Sequence, residues 1–347
     1  MNARQRIQSQ GKISRRDLLI GALAGGTLGT AAAALLSKYK RQKEQRTEIF
    51  IAKAPSYSVD LASIIEAGLR NLGIRSGEIR GKRILLKPNL IETVSGSVHI
   101  CTQPEIICGA VQALLRLGAE RVIVAEGSGH CRETASVAQE TGLAKALKEH
   151  ATVFIDLNND EMSIKANVGG LNGLKTLTFP AVVDRVDWIV SMPKMKTHHW
   201  AGVTLSMKNM FGLMPGIVYG WPKNVFHCAG IHRSIVDINA TVRPHLAIVD
   251  GIVGMEGDGP IMGTPKLAGV IVIGRNLAAV DATTARIMGI DPLKVPYLKA
   301  ASGWLGTISE KNIVQRGENI AAVQTEFQLI DKIPAHKNLR LGKAHSI

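Results

Sequence analysis

The sequence predicts an α/β fold: a mostly parallel sheet covered by helices on both faces, with a small inserted hairpin lobe. Three observations carry this. Runs such as residues 83–87, 121–125 and 188–192 are almost wholly apolar, as strands buried on both faces are. Stretches with helical spacing separate them, the alternation that crossovers between parallel strands require. Glycines and prolines cluster between the runs, where the chain must turn.

Residues 49–52 read as a short strand and 59–72 as an amphipathic helix. The strand at 83–87 is stopped by Pro88. Residues 104–117 have helical spacing, with Pro104 in the first turn where a missing N–H costs nothing. A strand at 121–125, a helix at 135–148 and a strand at 152–157 follow. Residues 162–180 break the rhythm: Gly169, Gly170 and Gly173 separate two alternating runs, a hairpin pattern. The alternation then resumes with a strand at 188–192, a helix at 234–242 and strands at 246–249 and 270–273. A helix at 277–288 is closed by Gly289. The reading is one domain over 48–335, preceded by a polar linker at 38–47 and followed by a tail at 336–347.

The chain has 347 residues, 46% hydrophobic and only 4% aromatic, so aliphatic side chains must fill its core. Its net charge of +14 suggests nucleic acid until its distribution is considered. Residues 1–46 hold ten Lys/Arg and two Asp/Glu, a net of +8, which leaves +6 for the other 301 residues. No Arg-rich helix and no alternation of basic and aromatic residues stands out there. The expected partner is an anionic small molecule, with no nucleic acid.

The first segment, 1–37, has a different purpose. Ser14-Arg15-Arg16-Asp17-Leu18-Leu19 precedes a mildly apolar, Gly/Ala-rich run from Ile20 to Leu36, and basic residues follow it. This resembles a twin-arginine signal, recognised by the twin-arginine translocase, which moves folded cargo. The protein is expected to be periplasmic or on the outer face of the cytoplasmic membrane. Cleavage near Ala31–Ala34 and an uncleaved membrane tether both stay open.

In open parallel sheets, ligands bind beyond the carboxyl ends of the strands. Here those segments are polar: Lys87-Pro88-Asn89, Glu126-Gly127-Ser128-Gly129-His130, Pro193 to Trp200, and Asp250-Gly251 leading to Glu256-Gly257-Asp258-Gly259-Pro260. Lys208 and Asn209 lie among apolar neighbours, and a desolvated lysine can act as a base or nucleophile. Histidines 130, 198, 199, 227 and 232 fall in predicted loops, where they would transfer protons or bind metal. The expected catalytic set is Lys208, His198 and His130. Lys87, Asn89, Lys194, Lys196, Asn209 and Glu126 would hold the ligand. A divalent or transition metal would draw on Glu256, Asp258, Asp250 and His199. Cys101, Cys108, Cys131 and Cys228 contain no C-x-x-C pair, so no ferredoxin-type iron–sulfur motif is signalled. Buried free thiols are expected ahead of a disulfide. Neither a P-loop nor a G-x-S-x-G elbow occurs.

In this order, Lys87-Pro88-Asn89, Pro193-Lys194-Met195-Lys196-Thr197-His198, Lys208-Asn209-Met210-Phe211-Gly212 and Asp250-Gly251 through Pro260 resemble the "domain of unknown function 362" family, over nearly all the chain after residue 48. Many relatives append a ferredoxin module, and this chain has no such cysteines. A fainter similarity is to the nickel-pincer lactate racemases: His198 precedes Lys208 by ten residues and Met214-Pro215-Gly216 follows, although the spacing of His227 departs from the pattern. The family resemblance leaves the reaction open; the mix of lysines, histidines and carboxylates fits an exported enzyme of isomerase, epimerase or redox type. The alternative is a non-catalytic metal- or anion-binding assembly factor for a membrane or periplasmic complex.

Overall fold

The computed structural model describes residues 46–94, 96–129 and 133–342. The twin-arginine segment and His130 lie outside them. The strands are β1 Thr47–Lys53, β2 Arg83–Pro88, β3 Arg121–Glu126, β4 Val153–Asp156, β5 Met162–Ala166, β6 Thr176–Pro180, β7 Trp188–Met192, β8 Lys194–His198, β9 Gly202–Thr204, β10 Leu246–Glu256, β11 Thr264–Gly274 and β12 Ile313–Gly317. The helices that support the site are α1 Leu61–Asn71, α2 Pro104–Arg116, α3 Ser206–Asn209, α4 Asn224–Cys228, α5 Ile231–Val242 and α6 Leu277–Ile287.

The fold is α/β. Its main sheet runs β12-β1-β11-β10-β7-β2-β3-β4, with β8 and β9 branching from β10. The stretch from β10 through β7, β2 and β3 to β4 is parallel, and β11 pairs antiparallel with both β1 and β10. Alternate side chains explain why both faces need cover. Leu85, Ile123, Ile189 and Val249 enter one core, while Ile84, Leu86, Val124, Val190 and Ile248 enter the other. Helices α1 and α2 close the second core, and α5 and α6 close the first. The hairpin lobe is β5 and β6, paired antiparallel from Met162↔Pro180 to Ala166↔Thr176.

Several boundaries differ from the sequence reading. The helix expected over 135–148 is two, Thr134–Glu140 and Leu143–Glu149, because Gly142 takes φ 77° between them. The loop expected at Lys194 to His198 is strand β8, buried along its whole length. Strand β10 continues past Asp250 and gives β8 an edge to pair with, Asp250↔Lys194 and Met255↔Lys196, across a register shift. The expected tail is held to the domain as far as Leu341: His336 and Leu339 are buried, and the Leu341 N–H donates to the Gly289 carbonyl. Cys101 and Cys108 are buried free thiols, and Cys228 is exposed and unpaired.

Candidate active site

Lys87 and Glu126 stand at the carboxyl ends of the adjacent parallel strands β2 and β3, and both are almost wholly buried, at 1% and 2% exposure. Lys87 Nζ donates to Glu126 Oε2 at 2.5 Å, to the Pro88 carbonyl at 2.9 Å and to Asn209 Oδ1 at 3.3 Å. Glu126 also accepts from the N–H groups of Gly127 (2.8 Å) and Leu90 (3.2 Å). A buried ion pair persists only when such further bonds satisfy it. Gly212 is glycine for the same reason: a Cβ there would run into Glu126 Oε1 and Lys87 Nζ.

These groups line a cavity of about 560 Å³, within the range of small-molecule sites. Lys208 and Asn209 enter it from α3, which Asp281 of α6 holds in place. The Asp281 carboxylate accepts from the N–H of Ser206 at 2.7 Å, from the N–H of Met207 at 3.0 Å, and from the Ser206 hydroxyl. Burial still pushes that carboxyl up to about 7. Asn209 Nδ2 donates to the Lys87 carbonyl (2.9 Å) and to Ser191 Oγ (3.1 Å), which fixes α3 against β2 and β7.

The Lys208 ammonium has no hydrogen-bond or ion-pair partner among the described residues; it lies 4.4 Å from the centre of the Phe211 ring. Burial, then repulsion from Lys87, lowers its pKa to about 8. Lys223, also lining the cavity, donates to the carbonyls of Gly127 (2.9 Å) and Gly212 (3.3 Å), and burial brings it to about 7. Lys196 lies in the wall behind, donating to the Pro260 carbonyl at 3.1 Å, and burial lowers it to about 7. Two lining acceptors, Asn89 Oδ1 and Thr204 Oγ1, are buried without a partner.

Buried His198 and partly buried His227, both lining the cavity, have opposite tautomers. His198 Nδ1 accepts from the N–H groups of Trp200 (3.0 Å) and Ala201 (3.2 Å), so its proton resides on Nε2. Burial, then Lys208, hold it far below the usual histidine range, so it stays neutral. His227 Nδ1 instead donates to the Lys223 carbonyl at 3.1 Å, which leaves a lone pair on Nε2. Burial lowers its pKa too.

An anion entering this cavity favours the charged lysines. The sign follows: each ammonium is protonated below its lowered pKa and lost above it. Sulfate, whose own charge is constant over this range, is therefore expected to bind with its full affinity near pH 6. Its affinity then declines between about pH 6 and 9, by up to about tenfold per pH unit for each coupled lysine. Isothermal titration calorimetry against pH measures this, and a flat profile contradicts it.

Of the residues expected from sequence, Lys87, Asn89, Glu126, His198, His199, Lys208, Asn209 and Asp258 line the one cavity. Lys196 is not part of its lining, and neither are Lys194 and Asp250. The latter two form a separate pair at 2.5 Å, both fully buried, closed by the Tyr57 hydroxyl, which accepts from Lys194 and donates to Asp250 at 2.8 Å each. Glu256, expected in a flexible loop, ends β10, accepts from the Gln328 N–H at 2.9 Å and faces Lys266 at 3.5 Å. The expected metal set is thereby divided, with only His199 and Asp258 together, at 3.4 Å. Among the described residues no group of three or more His, Cys, Asp or Glu side chains could hold a metal ion. Lys223, Phe211 and Trp200 escaped sequence reasoning. No spacing marks Lys223, because only the chain's path brings it under Gly127 and Gly212.

A model of the family described as "Domain of unknown function (DUF362)" matches residues 84–286, more than half of the chain. A thylakoid-associated protein of Synechocystis sp. is 26% identical over 227 residues, 63% of this chain and 67% of its own length. Among solved structures, the lactate racemase apoprotein from Thermoanaerobacterium thermosaccharolyticum has a TM-score of 0.43 at 13% identity, over 71% of this chain. A Thermotoga maritima protein has a TM-score of 0.36 at 12% identity, over 65% of this chain. This chain covers 58% of each of those two structures.

Proposed function

The chain belongs to the DUF362 family, and for this member we propose an enzyme that binds an anionic small molecule and moves a proton on it, an isomerase-type reaction. One observation carries this reading: the same cavity holds an ammonium with no hydrogen-bond or ion-pair partner among the described residues and two imidazoles of opposite tautomer. Lys208 anchors the anionic group. The His227 Nε2 lone pair takes a proton from carbon, and the His198 Nε2–H donates a hydrogen bond to the oxygen that gains charge. Because His198 stays neutral, it polarises that oxygen without adding a buried charge. A 2-oxocarboxylate suits this arrangement, since its C–H acids enolise and its carboxylate meets the lysines.

The test is hydrogen exchange at C3 of 2-oxobutyrate in deuterated water, followed by NMR. The full chain is expected to catalyse exchange, and His227→Gln and His198→Gln each to slow it by about 10²–10⁴-fold while sulfate still binds. Sulfate binding with no exchange above the buffer rate would instead leave a binding protein.

We also propose that the protein is exported by the twin-arginine route and works at a membrane surface. The Arg15-Arg16 pair and the thylakoid association of the Synechocystis relative support this. Among the described residues no helix is long and apolar enough to cross a membrane. Changing Arg15→Lys together with Arg16→Lys is expected to retain the protein in the cytoplasm of its host. Unaltered fractionation of that variant would count against the route.

A further inference from the structure

A second cavity, about 970 Å³, opens beside the first, and His199, Trp200 and His227 line both. Trp200 is 52% exposed, and His199 and His227 meet it in T-shaped contacts with ring centres at 4.7 and 4.9 Å. A half-exposed indole held between two rings is a fixed flat surface. Stacking on such a surface gives affinity to any planar ring system.

The outer cavity also has charge and an unmet hydrogen-bonding group. The Lys332 and Lys337 ammoniums line it and have no hydrogen bond or ion pair among the described residues. His232 Nδ1, on another part of the lining, is a buried nitrogen without a partner. Burial lowers that ring's pKa. Buried polar atoms ordinarily find partners, so orphans along both cavities mark places where a ligand completes the bonding. The inner cavity has its own in Asn89 Oδ1 and Thr204 Oγ1.

Size points the same way. A carboxylate of a few carbons fills a small part of the inner cavity, which alone reaches drug-sized dimensions.

We propose that the two cavities form one bipartite site for an elongated anion of nucleotide size: one anionic group among the inner lysines, a flat ring over Trp200, and a second anionic group facing Lys332 and Lys337. This deepens the function proposed above and rests on its inner anion site. The ligand fills that site as substrate or as the carrier of the reacting carboxylate.

The experiment compares three probes on the full chain by calorimetry at pH 7: sulfate, which has charge and no ring; adenosine 5′-monophosphate; and adenosine 3′,5′-bisphosphate. The bisphosphate is expected to bind at least about tenfold more tightly than sulfate. Trp200→Ala should remove that advantage while leaving sulfate within twofold, and Trp200→Phe should keep most of it. Changing Lys332→Ala with Lys337→Ala should weaken the bisphosphate and leave the monophosphate unaffected. Equal binding of bisphosphate and sulfate, or a Trp200→Ala variant with its advantage intact, overturns the bipartite site. Sulfate binding that ignores Lys208→Met would strike instead at the inner anion site itself.

Discussion

Replacing Lys208 with Met is expected to make the protein more stable and nearly unable to hold its anion. The ammonium makes no hydrogen bond or ion pair among the described residues; the Phe211 ring centre lies 4.4 Å away, and the Glu126 carboxylate attracts it without pairing. Burial lowers its pKa to about 8, so at pH 7 the folded state carries a charge it holds less readily than the unfolded chain does. Linkage sets the sign. A lysine whose folded pKa lies below its unfolded value costs stability at all pH values below about 8. That cost then shrinks as the pH rises towards 10.5. Methionine fills the same space without the charge, so Lys208→Met should gain about 1–2 kcal/mol at pH 7, after the lost contact with Phe211 is subtracted. The gain should vanish near pH 10. Binding moves the other way: loss of a hydrogen bond to a charged group costs about 1.5–3 kcal/mol, or roughly 10- to 150-fold in sulfate affinity. Thermal unfolding at several pH values and calorimetry read both halves. A variant less stable than the parent would show that Lys208 has a structural partner.

Glu126→Gln is expected to have the opposite character, a large loss of stability. The carboxylate is bonded to Lys87 Nζ and to the N–H groups of Leu90 and Gly127. An amide has one oxygen to offer three donors, and its own N–H₂ must face one of them. Lys87 would stay fully buried without its counter-ion, and burial already works against its charge. Breaking a buried pair from one side costs about 3–5 kcal/mol, on the order of 10 °C in Tm for a domain of this size. The double variant, with Lys87→Met added, tests the cause. If the unpaired ammonium is the origin, the double variant should be more stable than Glu126→Gln alone, with a coupling of about 2 kcal/mol in the cycle. Additive losses would refute it and locate the damage in the loop after β3.

Lys194 and Lys208 show how far sequence reasoning reaches. Both follow apolar strands, and both are lysines among apolar neighbours, so composition treats them alike. In the fold Lys194 lies 2.5 Å from Asp250 and closes a structural pair, while Lys208 opens into the cavity unpaired. Glu256 and Asp258 are two residues apart in sequence, yet only Asp258 reaches the cavity. Glu256 is the last residue of a strand that runs well beyond its expected end. His227 reads as one of five loop histidines. Its bond to the Lys223 carbonyl, which sets its tautomer, forms within α4, in a turn whose position depends on the long excursion after Gly212.

The sequence by itself determined the layered α/β architecture, the inserted hairpin, and the sheet edge where chemistry gathers. Each of these depends on local periodicity, turn residues and the burial of apolar runs, which are properties of neighbouring residues. Only the tertiary structure decided which lysines have counter-ions, which imidazole nitrogen carries its proton, and that Trp200 lines two neighbouring cavities. Those depend on distances between residues far apart in the chain, 122 positions for Lys87 and Asn209 and 193 for Tyr57 and Asp250, and one strand pairing such as β8 on β10 can bring a charge to a partner or leave it alone.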